Sequence, residues 1–141
     1  MSEALQIEVV TLERAVYSGA AAEIVFTADR GELDILPGHL ALMTRVHPGE
    51  LRIRRDGSTE SFAVGGGFAE VLDNRVTLLV TAAEGVADID VERARRALAD
   101  SEKRLDQRPG VDDAEMREQA ERRARAVARL RVAERATGSA D

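Results

Sequence analysis

Residues 62–85 read FAVGGGFAEVLDNRVTLLVTAAEG, and their period decides the fold. Val76, Leu78 and Val80 recur at every second position and so share one face of an extended chain. Asp73-Asn74, between FAEVL and RVTLLVT, is turn chemistry of the kind that joins two strands. The same grammar runs back to Leu5: LQIEVV, AEIVFTA, LALMTRV, LRIRR and SFAVGG are short runs rich in β-branched residues, and Asp56-Gly57-Ser58 supplies another turn. Leu5, Ile7 and Val9 alternate as Val76, Leu78 and Val80 do. Successive half-buried strands of this kind predict an N-terminal antiparallel β-sandwich or flattened barrel. Gly65-Gly66-Gly67 lacks the Lys-Ser/Thr of a phosphate-binding loop, so it is read as a bulge or a close backbone approach.

After Ala82 the pattern changes. DIDVERARRALADSEKRL opens on aspartates able to cap a helix and contains no Gly or Pro. A break at Arg108-Pro109-Gly110 precedes DDAEMREQAERRARAVARLRVAERA, which is equally free of breakers. The expectation is a two-helix antiparallel hairpin over 88–141 behind a sandwich over 1–87. Its apolar stripe is mostly alanine (Ala94, Ala97, Ala120, Ala124, Ala128). At roughly 25 cal/mol per Å² of apolar surface, such a seam holds helices more weakly than leucine would, so the hairpin is expected to be able to leave its dock.

Composition removes whole classes of function. With no cysteine there is no disulfide framework, thiol nucleophile or thiolate metal site, and His39 and His47 are the only imidazoles, so no metal site is expected. Aromatic residues make up 3% of the chain, which leaves little on which nucleobases could stack. Residues 1–87 carry 13 acidic and 7 basic side chains, an acidic front that argues against nucleic-acid binding. Residues 114–136, by contrast, hold 7 Arg against 4 Glu. Arg122, Arg125 and Arg129 recur at helical spacing, stacking positive charge on one side. The opening MSEALQIEVV carries no leader-like pattern and no stretch is long and apolar enough to span a bilayer, so the chain is expected to be soluble and cytoplasmic. Residues 31–42, GELDILPGHLAL, place Glu32, Asp34 and His39 around a Pro37-Gly38 turn. Nothing beside them assembles a nucleophile, a base and an orienting group, so an enzyme is not expected. From the residues alone, a small cytoplasmic adaptor whose cationic hairpin binds an acidic partner is one reading, and a lone ligand-binding sandwich another.

GELDILPGHLAL, FAVGGGFAEV (62–71), VTLLV followed by TAAEG (76–85) and IDVERA (89–94) together resemble the epsilon-subunit family of the F-type ATP synthase, over nearly the whole chain. The resemblance implies a non-catalytic rotor subunit of a proton-translocating synthase that joins the gamma subunit to the c-ring. It implies a peripheral place on the cytoplasmic face of the inner (plasma) membrane, with no direct insertion. Glu32 and His39 become c-ring contacts, and Asp34, where the family pattern has glycine, adds a charge facing the ring. In the family's compact state both helices pack on the sandwich. In its extended state Arg122, Arg125 and Arg129 would meet an acidic motif on beta within the alpha/beta hexamer and inhibit ATP hydrolysis. No cofactor is required, but regulatory ATP is implied at Glu84, Ile89, Asp90, Arg93 and Ala94 together with Arg125 and Arg129. Asp100 would place negative charge near the phosphates.

Overall fold

The computed structural model describes residues 4–107 and 113–138. Ten strands form two five-stranded sheets. The first sheet contains β1 (Leu5–Val10), β2 (Ala15–Ala21), β5 (Leu42–Val46), β8 (Gly67–Leu72) and β9 (Arg75–Val80), in the order β2-β1-β9-β8-β5. The second contains β3 (Glu23–Ala28), β4 (Gly31–Ile35), β6 (Gly49–Arg55), β7 (Ser58–Val64) and β10 (Ala83–Gly85), in the order β10-β7-β6-β3-β4. Pairing is antiparallel except between β1 and β9, which run parallel. The expected sandwich is therefore present, with one parallel pair at its centre.

Alternation sets the register. Leu5, Ile7 and Val9 on β1, Val76, Leu78 and Val80 on β9, and Leu51 and Ile53 on β6 all point between the sheets, with Phe26 and Ile35, and are at most 5% exposed. Two-residue turns fix the hairpins. Asp56 and Gly57 (φ 38° and 79°) join β6 to β7, while Asp73 and Asn74 (φ 49° and 62°) join β8 to β9. Positive φ at both central residues matches the twist of the flanking strands, which is why Asp, Asn and Gly stand there. Gly67 answers for the triple glycine: a Cβ there would lie 1.9 Å from the Leu79 carbonyl oxygen, so two strands touch where only hydrogen fits.

Three strands were hidden in the sequence, the three-residue β10 among them. GELDI, expected as part of a loop, is β4, paired with β3 along its whole length (Glu32 opposite Thr27, Asp34 opposite Val25). Only residues 36–41 form a loop. AVYSGAA forms β2, whose Gly and Ala residues mute the strand signal.

A short 3-10 turn, Val86–Asp88, leads to α1 (Val91–Asp106) and then α2 (Asp113–Gly138). The expected break at Arg108-Pro109-Gly110 lies outside the described residues. Asp90 caps α1, its carboxylate accepting the Arg93 backbone N–H at 3.1 Å. The seam between the helices is narrower than the alanine stripe suggested. Ala94 and Ser101 on α1, and Gln119 and Ala126 on α2, are buried at seven-residue spacing, whereas Ala120 is exposed and Ala97 and Ala124 are only half-buried. The Gln119 amide oxygen has no hydrogen-bond partner among the described residues. Ala128 and Val132 use another face of α2 to pack on Ala63, the outward residue of β7, with Ile89 beside them. The expectation that both helices pack on the sandwich is thus corrected. α2 lies on β6 and β7, and α1 is held chiefly by α2.

Candidate functional site

Three features stand out, the first at one end of the sandwich. The Pro37-Gly38 turn is tied to the β8–β9 turn, the Gly38 N–H donating to Asn74 Oδ1 at 2.7 Å, and His39 N–H closes the bend on Leu36 O at 3.1 Å. His39 Nδ1 lies 2.7 Å from Leu40 O. Leu36 and Leu40 project from this loop, Leu40 being 82% exposed. On the outer face of the first sheet, strand pairing aligns Arg45, Phe68, Leu79 and Val10 in one row, with Met43 in the next. Phe68 (59%), Leu79 (57%) and Met43 (72%) stand largely in solvent, as does Leu72 at the turn end. Isolated exposed apolar residues are ordinary; a loop and a sheet face sharing several large ones form an apolar patch of the kind interfaces carry. Sequence reasoning missed Phe68 and Leu79, although strict alternation through FAEVL and RVTLLVT assigns both to the face opposite Val71 and Leu78.

The second feature is a chain of charges on the outer face of the second sheet. Arg52 holds Glu32 (Nη2 to Oε2, 2.9 Å) and Glu50 (Nη1 to Oε1, 2.9 Å), and Arg135 of α2 reaches the other Glu50 oxygen. The Glu50 side chain is only 6% exposed, and the two arginines are its partners in that buried position. The Arg52 hydrogen bond keeps Glu32 below the usual glutamate pKa against a smaller desolvation cost, and Glu32 in turn raises Arg52. Glu32 is therefore engaged across β4 and β6, while His39 bonds within its loop; the two expected contact residues are not brought together. Asp34 also lies on this outer face. Burial, then the Glu23 carboxyl, raise its pKa, while Arg54 at 2.8 Å lowers that of Glu23. Its backbone is ordinary strand, not left-handed, so the glycine of the family pattern is not needed for conformation. Glu50 and Arg135 were not anticipated. The outward stripe Glu50-Arg52-Arg54 through GELRIRR was the available signal.

The third feature lies between the helices. Arg93, Ala97 and Asp100 share one face of α1, Arg122, Arg125 and Arg129 share one face of α2, and together they line a cavity of about 360 Å³. Of the expected nucleotide residues, this brings together Arg93, Arg125 and Arg129. Glu84 borders the group through Arg129 (3.0 Å). Ile89, Asp90 and Ala94 have other duties as apolar plug, helix cap and seam residue. Among the described residues no carboxylate pairs with Arg93, Arg122 or Arg125, and Asp100 is tied to Arg104 at 3.2 Å. A larger groove of about 1220 Å³ over the second sheet differs in kind. Its arginines are matched: Arg14 by Asp88, Arg52 by Glu32 and Glu50, Arg54 by Glu23, Arg135 by Glu50. Among the described residues no group of three or more His, Asp or Glu is placed to hold a metal, and no helix is long and apolar enough to cross a membrane.

A two-sheet sandwich with an exposed apolar face and a helical hairpin resting on its other side define the class: a β-sandwich domain with a C-terminal helical hairpin. The family follows from comparison. A model described as the ATP synthase, Delta/Epsilon chain, beta-sandwich domain matches residues 4–86. The ATP synthase epsilon chain of Desulforudis audaxviator is 43% identical over 106 residues, covering 74% of this chain and 77% of that one. That of Synechococcus elongatus is 42% identical (86% and 90% covered), and that of Anaeromyxobacter sp. strain K 40% (94% and 99% covered). The chain belongs to the ATP synthase delta/epsilon chain family and is a non-catalytic subunit of that complex. The fold matches chains in two solved assemblies. One is the Euglena gracilis mitochondrial ATP synthase OSCP/F1/c-ring (TM-score 0.68, 20% identity, covering 98% of this chain and 82% of that one). The other is the Tetrahymena thermophila mitochondrial ATP synthase central stalk and c-ring (TM-score 0.60, 17% identity, covering 94% and 98%).

Proposed function

We propose that this chain is a rotor subunit that seats the gamma subunit on the c-ring, so that torque from ion flow reaches the catalytic sites. The observation that carries the reading is the apolar outer face of the first sheet, continuous with the 36–41 loop. Met43, Phe68 and Leu79 offer the aliphatic and aromatic area that a lasting contact with gamma requires, and the loop bearing His39, Leu36 and Leu40 reaches past the end of the sandwich toward the ring. Glu32, held by Arg52, serves this contact only at its rim, where charge sets register more than affinity. The test adds the purified chain to a stalk lacking it. A Met43→Ser, Phe68→Ser variant should fold normally, yet fail to restore coupling or to co-purify with gamma. Full binding by that variant would refute this face as the interface, whereas an adaptor of another system would not co-purify with gamma at all.

The hairpin regulates. Docked, α2 rests on the sandwich through small apolar contacts and the Glu50–Arg135 and Glu84–Arg129 pairs, with Arg122, Arg125 and Arg129 turned toward α1. Released, those arginines face an acidic surface of the alpha/beta hexamer and restrain ATP hydrolysis. Regulatory ATP favours the docked form by binding in the cavity between α1 and α2, where Arg93, Arg125 and Arg129 converge. A ligand that binds one of two conformations shifts the balance in proportion to its concentration over its Kd.

A further inference from the structure

The seam between α1 and α2 buries a polar group that the docked hairpin does not satisfy. We infer that Ser101 and Gln119 form a polar break from which the hairpin opens, starting at the end where the two helices are connected. Its regulatory consequence rests on the reading above that α2 leaves its dock. The buried seam residues are Ala94 and Ser101 on α1 (both 1% exposed), and Gln119 (7%) and Ala126 (0%) on α2. The helices run antiparallel, so seven residues forward on α1 correspond to seven back on α2. Ala94 is thereby level with Ala126, and Ser101 with Gln119, beside the Glu102–Arg123 pair.

Hydrogen-bond supply singles out the second level. Gln119 Oε1 is the one buried side-chain nitrogen or oxygen without a partner among the described residues. Ser101 has a single hydroxyl proton, and it goes to Leu98 O at 3.0 Å, within α1. The closed seam thus holds an amide carbonyl with no donor, and parting the helices returns that carbonyl to water. An apolar pair at the same level would add to the seam where this pair subtracts from it. The polar residues therefore fix the register of the helices at a cost in stability. The rest of the hairpin is held differently. At the Ala94–Ala126 level no polar side chain is buried, and nearby α2 is anchored to the sandwich by Ala63, Ala128 and Val132 and by Glu84–Arg129 at 3.0 Å. Near the connection, Glu102 and Arg123 bridge the helices at 3.4 Å with both side chains half in solvent, where an ion pair adds little. One end is anchored and the other is poised to part, so release of α2 begins beside Gln119 and runs toward the sandwich.

Amide hydrogen exchange on the full chain at pH 7 tests the break with two substitutions of opposite sign. Gln119→Met keeps an unbranched side chain and removes the stranded carbonyl. Exchange over 101–106 and 116–123 should slow about tenfold, the order of effect of relieving one buried unsatisfied group. Gln119→Glu places a carboxylate in the same position and should quicken those amides about tenfold or more, while β1, β8 and β9 keep their protection. Ala120→Met and Ala120→Glu, one residue along on the exposed side of α2, should alter neither segment. Unchanged exchange with either Gln119 substitution would overturn the break. Faster exchange with both would also overturn it, by marking Gln119 as a well-packed seam residue. In the assembled enzyme Gln119→Met should raise ATP hydrolysis by holding α2 docked. Slowed exchange with unaltered hydrolysis would support the break and refute the regulatory reading.

Discussion

Replacing Glu50 with alanine tests how α2 is held. The Glu50 carboxylate is 6% exposed and accepts from Arg52 at 2.9 Å and from Arg135 of α2. A hydrogen bond to a charged group contributes roughly 1.5–3 kcal/mol, so two lost bonds set an upper range of about 3–6. Two facts reduce it. Arg52 keeps Glu32 at 2.9 Å, and the Arg135 side chain, 53% exposed, regains water. About 2 kcal/mol is left, nearly all charged to the docked state of α2, because the sandwich core lies on the other face of β6. Against the small-residue layer of Ala63, Ala128 and Val132, that is a large share of the attachment. The assay is amide hydrogen exchange. Amides of α2 from about residue 126 onward should exchange about 30-fold faster, the factor equivalent to 2 kcal/mol, while β1, β8 and β9 keep their protection. Unchanged exchange in α2 would refute the latch. A loss of protection throughout the sandwich would show that Glu50 supports the sheet instead.

Other outcomes follow from single contacts. Gly67→Ala drives a methyl into the Leu79 carbonyl and should cost at least ~3 kcal/mol by urea unfolding, whereas Gly66→Ala, with 3.5 Å to its nearest atom, should cost less than about 1. Asp34 has its pKa raised in the fold, so its ionisation opposes folding as pH climbs above the unfolded value near 3.8. Asp34→Asn should therefore stabilise the protein at pH 7 by under ~1 kcal/mol, solvent screening being strong so near the surface, and the gain should vanish below about pH 3.5 in thermal melts. Neutralising Arg122, Arg125 and Arg129 together should raise ATP hydrolysis of the assembled enzyme or leave it level, and a sharp fall with normal assembly would end the inhibitory reading.

The fold was legible where one physical rule acts alone. Strict alternation in LQIEVV and RVTLLVT, and Asp-Gly and Asp-Asn turns with no competing structure, determine face, register and hairpin together. β4 was not legible, because Glu32 and Asp34 depress strand propensity and a Pro-Gly turn follows closely. They stand there because tertiary neighbours accommodate them: Arg52 meets Glu32, and Glu23, itself held by Arg54, lies near Asp34. A pairing across strands 20 residues apart leaves no trace in a local pattern. The same limit applies to the hairpin. Helical periodicity gave both helices, but which alanines face inward depends on the crossing, and Ala120 lies on the wrong side of it.

The inter-helix site was half legible for a reason that bears on how the hairpin works. IDVERA supplies Ile89, Asp90, Arg93 and Ala94, and the structure gives three of these four a role in shaping the hairpin. Ile89 fills the contact between α2 and β7, Asp90 fixes where α1 begins, and Ala94 lets α2 approach closely. Only Arg93 is free for a ligand. The motif thus shapes the start of α1 and its contact with α2 more than it lines the cavity. If Asp90 did not cap α1, its first turn would fray and Arg93 would lose its place opposite Arg129. An anion bound among the arginines, as proposed above, would favour the same α1 geometry that the cap enforces. Reversal is equally direct. In the released form proposed above, Arg93 would be parted from Arg122, Arg125 and Arg129, and the cavity they line would open without any change within α1.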